Sequence, residues 1–388
     1  MRRSNKLALA GLLAAAWMPN ANAQTTQAPA TQVKVGIIDS LSGPVASIGV
    51  PYAKGFAAWE AGNNLSGLKI IQIDDASDPA VAARAAKKLV EEDHVDILIG
   101  SAGTPVSLAI YGVAAESKTP MIFTANGLIP GDRGAWEITI PQPVPLMISA
   151  DVEAMKKANI KTIGYIGFSD AWGDLVYDSL TKIVEPLGIK VVANERFGRA
   201  DTSVTPQILK IMALHPDAVF TGGSGSPGAL PHLALAERGY KGQVYSTHAI
   251  INSEFVRVGG ASVEGLVAPT GPVVVAEQLP DSNPIKAVSM KFKELYEKAN
   301  HEKSTDAFAA YGYDGMLLMA DAVKRASASG ATPGTPEYRL ALRDALVSTK
   351  NLVGTHAVYN FTPGDRYGTD ERSRVVVKLD HGTWKLVN

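Results

Sequence analysis

The sequence predicts a two-lobed α/β protein: Rossmann-like lobes with parallel central sheets, joined by a hinge. Two observations carry this. From Val33 onward, short Val/Ile-rich runs alternate with stretches of helical period about 10 to 15 residues long, the pattern of βαβ units. The runs also fall into two successive sets of four, and 388 residues at roughly 150 per domain agree with two lobes.

The elements follow in chain order. Arg2, Arg3 and Lys6 precede an apolar run over 7–17, then Pro19 and the small-residue pattern Ala21-Asn22-Ala23. This predicts a signal peptide over 1–23, cleaved after Ala23, and hence an exported product. The apolar run is too short for a bilayer, which takes roughly 20 residues. Residues 24–32 (QTTQAPATQ) are polar and aperiodic, the composition of a disordered lead-in.

The first strand set is VKVGIID (33–39), LKIIQID (68–74), VDILIG (95–100) and PMIFTA (120–125). The second is TIGYIGF (162–168), IKVVANERF (189–197), DAVFTG (217–222) and QVYSTH (243–248). Asp78-Pro79 and Thr104-Pro105 each read as a capping side chain before a proline at the first helical position. Between the sets, the Pro/Gly-rich stretch 126–146 reads as a crossing between lobes. A second such passage, 269–284, leads into helical stretches near 285–299 and 305–328, expected to return to the first lobe. The tail carries strand-like runs near 352–360 and 373–379, then TWKLV, expected to complete the second lobe. The predicted organisation is 33–142 with 271–348 as the N-terminal lobe, and 143–270 with 349–388 as the C-terminal lobe.

Composition narrows the chemistry. With no cysteine, the chain has no disulfide, thiolate zinc site, iron–sulfur cluster or thiol nucleophile. Net charge is -1; loss of the three cations in 1–23 lowers Lys+Arg from 37 to 34 against 38 acids, for a mature charge of -4. Neither value draws the protein to nucleic acid. The seven histidines (94, 215, 232, 248, 301, 356, 381) have no metal-ligand spacing, so no metal and no cofactor are expected. Gly223, Gly225 and Gly228 match GxGxxG, but Pro227 interrupts it and no acid lies about 20 residues on. The same loop misses GxSxG, because Ser226 stands where the last glycine belongs. No catalytic residues are assigned; triads assembled from distant residues leave an exported hydrolase as an alternative.

Taken in order, VGIIDSLSGPVASIGVPYAKGFAAW, DDASDPAVAARAAKKLVEEDHVDILIG, IGSAGTPVSLA, MIFTANG, GYIGFSDAWGD and DAVFTGGSGSPGALPHLALAERGYKG form one set. This set resembles the periplasmic leucine/isoleucine/valine-binding proteins, the type I solute-binding proteins of ABC importers. The resemblance covers almost all of the chain after Val33. It implies reversible capture of a small solute by hinge closure rather than an enzyme, with a membrane permease as partner and a monomeric state.

Candidate ligand residues follow from the residues and the resemblance together. The turn Gly100-Ser101-Ala102-Gly103-Thr104 offers amides at a helix start and the hydroxyls of Ser101 and Thr104 for a carboxylate. Thr104 capping its own helix is the alternative; the resemblance favours contact with ligand. Asn126 and Gly127 match the second contact segment, Asn-Gly otherwise being a simple turn. Ile48 stands where some relatives place an aromatic. Trp172 stands where relatives carry an aromatic covering the ligand, and a packed loop aromatic is its alternative. Ser224 and Gly225 lie in a hydroxyl- and amide-rich loop. His248 stands near the position where amino-acid-binding relatives hold an ammonium with a carboxylate. An imidazole suits an acceptor instead, which favours an aromatic or keto carboxylic acid over an amino acid. Branched-chain or other amino acids are the alternative ligands, and the ligand-binding part of a separate sensor is a further role.

Overall fold

The computed structural model describes residues 32–387 apart from Leu128, Pro130 and Thr305. The expected signal peptide and residues 24–31 lie outside the described residues. Gln32, at the end of the expected lead-in, is tied down: its side-chain amide donates to the Ser66 carbonyl at 3.0 Å.

The first sheet contains β1 (Val33–Asp39), β2 (Leu68–Asp74), β3 (Ile97–Gly100), β4 (Met121–Phe123) and β5 (Glu137–Thr139), in the order β2-β1-β3-β4-β5. Every pairing in it is parallel. β1 is buried along almost its whole length, as a Val/Ile-rich strand inside a sheet covered on both faces by helices requires. α1 (Ala46–Glu60), α2 (Pro79–Lys87) and α3 (Thr104–Glu116) follow β1, β2 and β3. The second sheet is also parallel, in the order β7-β6-β8-β9: β6 (Thr162–Phe168), β7 (Lys190–Phe197), β8 (Ala218–Gly222) and β9 (Gln243–Ser246). α4 (Val144–Lys157) leads into β6; α5 (Ala171–Val184), α6 (Thr205–Ala213) and α7 (Leu230–Glu237) follow β6, β7 and β8.

Three expectations need adjustment. The first sheet has a fifth strand inside the stretch expected to be a crossing alone. β5 is three residues long, too short to show a period, and exists by pairing with β4. The cap of α3 is Gly103, with Thr104 its first residue; the Thr104 hydroxyl instead donates to the Asn126 carbonyl at 2.6 Å. Asp78 does cap α2, its Oδ1 accepting the amides of Ala80 and Val81. The tail divides its contacts. After α8 (Ser253–Gly259), β10 (Val267–Thr270), α9 (Pro284–Asn300), α10 (Ala307–Ser327) and α11 (Pro336–Val347), the hairpin of β11 (Leu352–Val353) and β12 (Val358–Tyr359) packs beside α9 and α10. There the buried Asp314 carboxylate of α10 accepts from the amides of Thr355 and His356 and from the Tyr359 hydroxyl. β13 (Val375–Asp380) and β14 (Thr383–Leu386) join β10 in a separate antiparallel sheet rather than extending the second parallel one.

α9, α10 and α11 return to the first sheet's side, packing on α1 and β5. The α1/α10 contact is close because both helices present glycine. A Cβ at Gly55 would lie 1.9 Å from the Ala309 carbonyl oxygen, and one at Gly312 2.6 Å from that of Tyr52. Among the described residues no helix is long and apolar enough to cross a membrane.

Gly55→Ala is therefore expected to force α1 and α10 apart and cost roughly 1–3 kcal/mol or more. A lowered urea midpoint with unchanged slope would register this. Gly67→Ala, where a Cβ meets nothing within 4 Å, should leave the midpoint near its wild-type value.

Candidate functional site

In parallel α/β sheets the free amides of helix N-termini and the loops beyond strand ends gather at one edge. Here the carboxyl-end loops of the two sheets face each other across a narrow cavity. The first sheet supplies Ala102, Gly103 and Thr104 after β3, Thr124 to Asn126 after β4, and Ile48 and Tyr52 from α1. The second supplies Trp172 after β6, Arg199 after β7, Ser224 after β8, and His248 and Ala249 after β9. Pro141, Phe308 and Tyr311 complete the wall.

Of the sequence candidates, Ile48, Gly103, Thr104, Asn126, Trp172, Ser224 and His248 are thus brought together. Ser101 is not among the lining residues. It is fully buried behind the cavity, its hydroxyl donating to Asp75 and its amide donating to the Ser107 hydroxyl at 2.9 Å. Gly127 lies beyond the lining, its carbonyl accepting from the Tyr367 hydroxyl at 3.5 Å. Gly225 meets α1 instead: its φ of +55° is a conformation suited to glycine, and its amide donates to the Ala249 carbonyl at 3.0 Å.

The polar groups of the cavity differ in what they leave free. Asp170 caps α5 through Oδ1, accepting the amides of Trp172 and Gly173, and this sets the indole against the cavity. Its Oδ2 accepts from Arg199 Nε at 2.6 Å, and Arg199 Nη1 donates to the Ser224 hydroxyl at 3.0 Å. The guanidinium lies over the Phe168 ring, 4.1 Å from its centroid. Three contacts thus hold Arg199 in place, with Nη2 meeting no protein acceptor among the described residues. Buried and unpartnered are Trp172 Nε1, His248 Nδ1 and Asn126 Oδ1. Buried polar atoms are normally hydrogen-bonded, so these three leave the cavity with hydrogen-bonding capacity that no protein group among the described residues uses. Trp172 and His248 meet edge-on with ring centroids 6.2 Å apart.

Among the described residues Arg199 is the one lining residue with a fixed charge, and neither Asp nor Glu lines the cavity. Sequence reasoning missed Arg199, Tyr52, Phe308 and Tyr311. Arg199 sits in a loop after β7 without a motif, and its signal was position alone, beyond a strand's carboxyl end. Tyr311 is fixed from behind: its ring stacks on His356 at 3.7 Å and its hydroxyl donates to Gln142 Oε1 at 2.5 Å.

A profile of the periplasmic binding protein family matches residues 32–371. The chain is 25% identical to Leu/Ile/Val-binding protein homolog 3 of Brucella melitensis over 60% of this chain and 66% of that one. It is also 25% identical to an amino acid binding protein of Pseudomonas aeruginosa, over 83% and 89%. Among solved structures, an extracellular ligand-binding receptor from Rhodopseudomonas palustris is 40% identical, with TM-score 0.88 over 92% of this chain and all of that one. Two R. palustris solute-binding proteins of ABC transporters, in complex with benzoate and with 4-hydroxybenzoate, share the fold at TM-score 0.76 and 20% identity, over 92% of this chain and 96% of theirs.

Burial lowers the His248 pKa from 6.5 to about 4, so the imidazole is neutral near pH 7. The stability it contributes is complete above pH 6.5 and declines as pH falls towards 4, where the unfolded chain binds a proton that the folded site resists. In NMR, its ring nitrogens should hold neutral shifts from pH 8 to about 5.5. A midpoint near 6.5 would contradict this environment.

Proposed function

The chain belongs to the type I periplasmic binding proteins of the branched-chain amino acid family, and from that premise we propose that it captures a small carboxylate with an aromatic or keto-acid body. One observation carries the reading: among the described residues the cavity is lined by a guanidinium and no carboxylate, together with the aromatic rings of Tyr52, Trp172, Phe308 and Tyr311. A carboxylate gains charge-assisted bonds from Arg199. The ammonium of an amino acid would meet no opposite charge and, at His248, a neutral ring. The bound molecules of the two distant R. palustris structures belong to the same chemical class.

In this reading the solute docks on the first lobe at the N-terminus of α3 and Asn126, and the second lobe closes with Trp172, Arg199, Ser224 and His248. The lobes comprise 33–142 with 271–348, and 143–270 with 349–388. Closure is driven by the contacts a ligand makes only in the closed state. The closed protein delivers its solute to the permease of an ABC importer, as a monomer exported by a signal peptide cleaved after Ala23. A second reading, capture of branched-chain amino acids, rests on the names of the relatives at 25% identity.

Calorimetry and thermal shifts with benzoate, 4-methyl-2-oxopentanoate and leucine separate the two. Binding by an acid lacking the amino group, without binding by leucine, is expected; leucine alone raising the melting temperature would overturn the reading. Arg199→Met should weaken the binding acid by roughly 10- to 100-fold, the worth of a hydrogen bond to a charged group. Unchanged affinity would remove Arg199 from the site.

A further inference from the structure

We propose that Ser47 and Asn252 are positioning residues of a latch, which ties the two lobes together through protein contacts alone and so sets the affinity for every solute. The proposal rests on the two-lobe closure above, but its parts lie outside the ligand cavity. Ser47 is on the first turn of α1, immediately before Ile48, which lines the cavity; Ser47 does not line it. Its hydroxyl oxygen accepts the Ser226 amide at 3.1 Å. Its carbonyl accepts Asn252 Nδ2 at 2.6 Å, and the same nitrogen donates to Asp306 Oδ2 at 2.8 Å.

The orientation of the Asn252 amide is set by its surroundings. Its Oδ1 caps α8 by accepting the Phe255 amide at 3.1 Å, so Nδ2 must face Ser47 and Asp306. Asp306 is likewise a cap, its Oδ1 accepting the Phe308 amide at 2.6 Å at the start of α10. Two helix caps from elements assigned to opposite lobes therefore hydrogen-bond to one another, and Ser47 bonds to one of them. Gly225 permits the approach. A Cβ there would stand 2.5 Å from the Ser47 hydroxyl oxygen and 3.0 Å from Ile48 Cγ1. The Ala307 amide adds a main-chain bond to the Ile251 carbonyl at 3.2 Å.

Contacts that form only in the closed state and do not touch solute raise the closed fraction, and apparent affinity scales with that fraction. Their loss should weaken all ligands by one common factor and act on release, whereas loss of Arg199 should discriminate among ligands.

Hydrogen exchange on the ligand-free mature protein decides the matter without any solute. In Ser47→Ala, exchange of the Ser226 amide should accelerate about three- to tenfold, the range for one lost hydrogen bond, while β6 and β8 keep their protection. Ser47→Thr, which retains the hydroxyl acceptor, should restore the wild-type rate. Equal Ser226 exchange in wild type and Ser47→Ala would overturn the latch, as would equal acceleration in the Thr variant. With benzoate as probe, Ser47→Ala should raise the dissociation rate by the same factor and leave the association rate unchanged. A failure of benzoate to bind would count against the proposed ligand class, and the exchange result would still decide the latch.

Discussion

The close crossing of α1 and α10 sets the geometry on which the cavity depends. Ile48 and Tyr52 project from the first, Phe308 and Tyr311 from the second, and these four form much of one wall. The spacing between them is fixed where Gly55 meets Ala309 and Gly312 meets Tyr52, backbone against side-chain-free backbone. Tyr52 and Phe308 then stand edge to face with centroids 5.7 Å apart, a preferred aromatic geometry. A wall built from two helices so distant in sequence is rigid because neither can shift without overlapping the other.

The opposite wall is organised by charge rather than by close packing. Asp170 serves two structural purposes at once, capping α5 with one oxygen and holding Arg199 with the other. The guanidinium is mostly shielded from water, stacked over Phe168 and bonded to Ser224, so it enters the cavity already oriented. Preorganisation of this kind reduces the ordering cost of binding. The two walls thus differ in character: the first presents aromatic faces, and the second presents Trp172 and one oriented cation.

Much of the fold was legible in the sequence. β1, β2 and β6 have the bounds their Val/Ile runs suggested: β1 and β6 lie inside their sheets and are buried along almost their whole length, while β2 is an edge strand whose Lys69, Gln72 and Asp74 are exposed. β5 was not, since three residues carry no period and the strand depends on its neighbour. α11 was also missed, although Thr335 caps it and Pro336 opens it, the signals that had marked other helices. Cavity-lining residues that follow strands directly, such as Asn126, Trp172 and His248, were legible because a parallel sheet gathers its carboxyl-end loops at one edge. Ser101 shares that position, yet its hydroxyl turns inward to Asp75, a choice made by a buried carboxylate over 20 residues away.

By itself the sequence determined the class of this protein: two sets of βαβ units, a family, and a ring of candidate residues at the ends of strands. These are properties of local pattern, and local pattern is written in neighbouring residues. Only the tertiary structure decided the chemistry of the cavity. Arg199, Tyr52, Phe308 and Tyr311 come from three separate stretches of the chain, and whether a guanidinium or a carboxylate faces the ligand depends on which loops the sheets bring to one edge. The charge of the site became readable only once long-range packing had put Arg199 beside Ser224 and left Trp172, His248 and Asn126 with unpaired polar atoms.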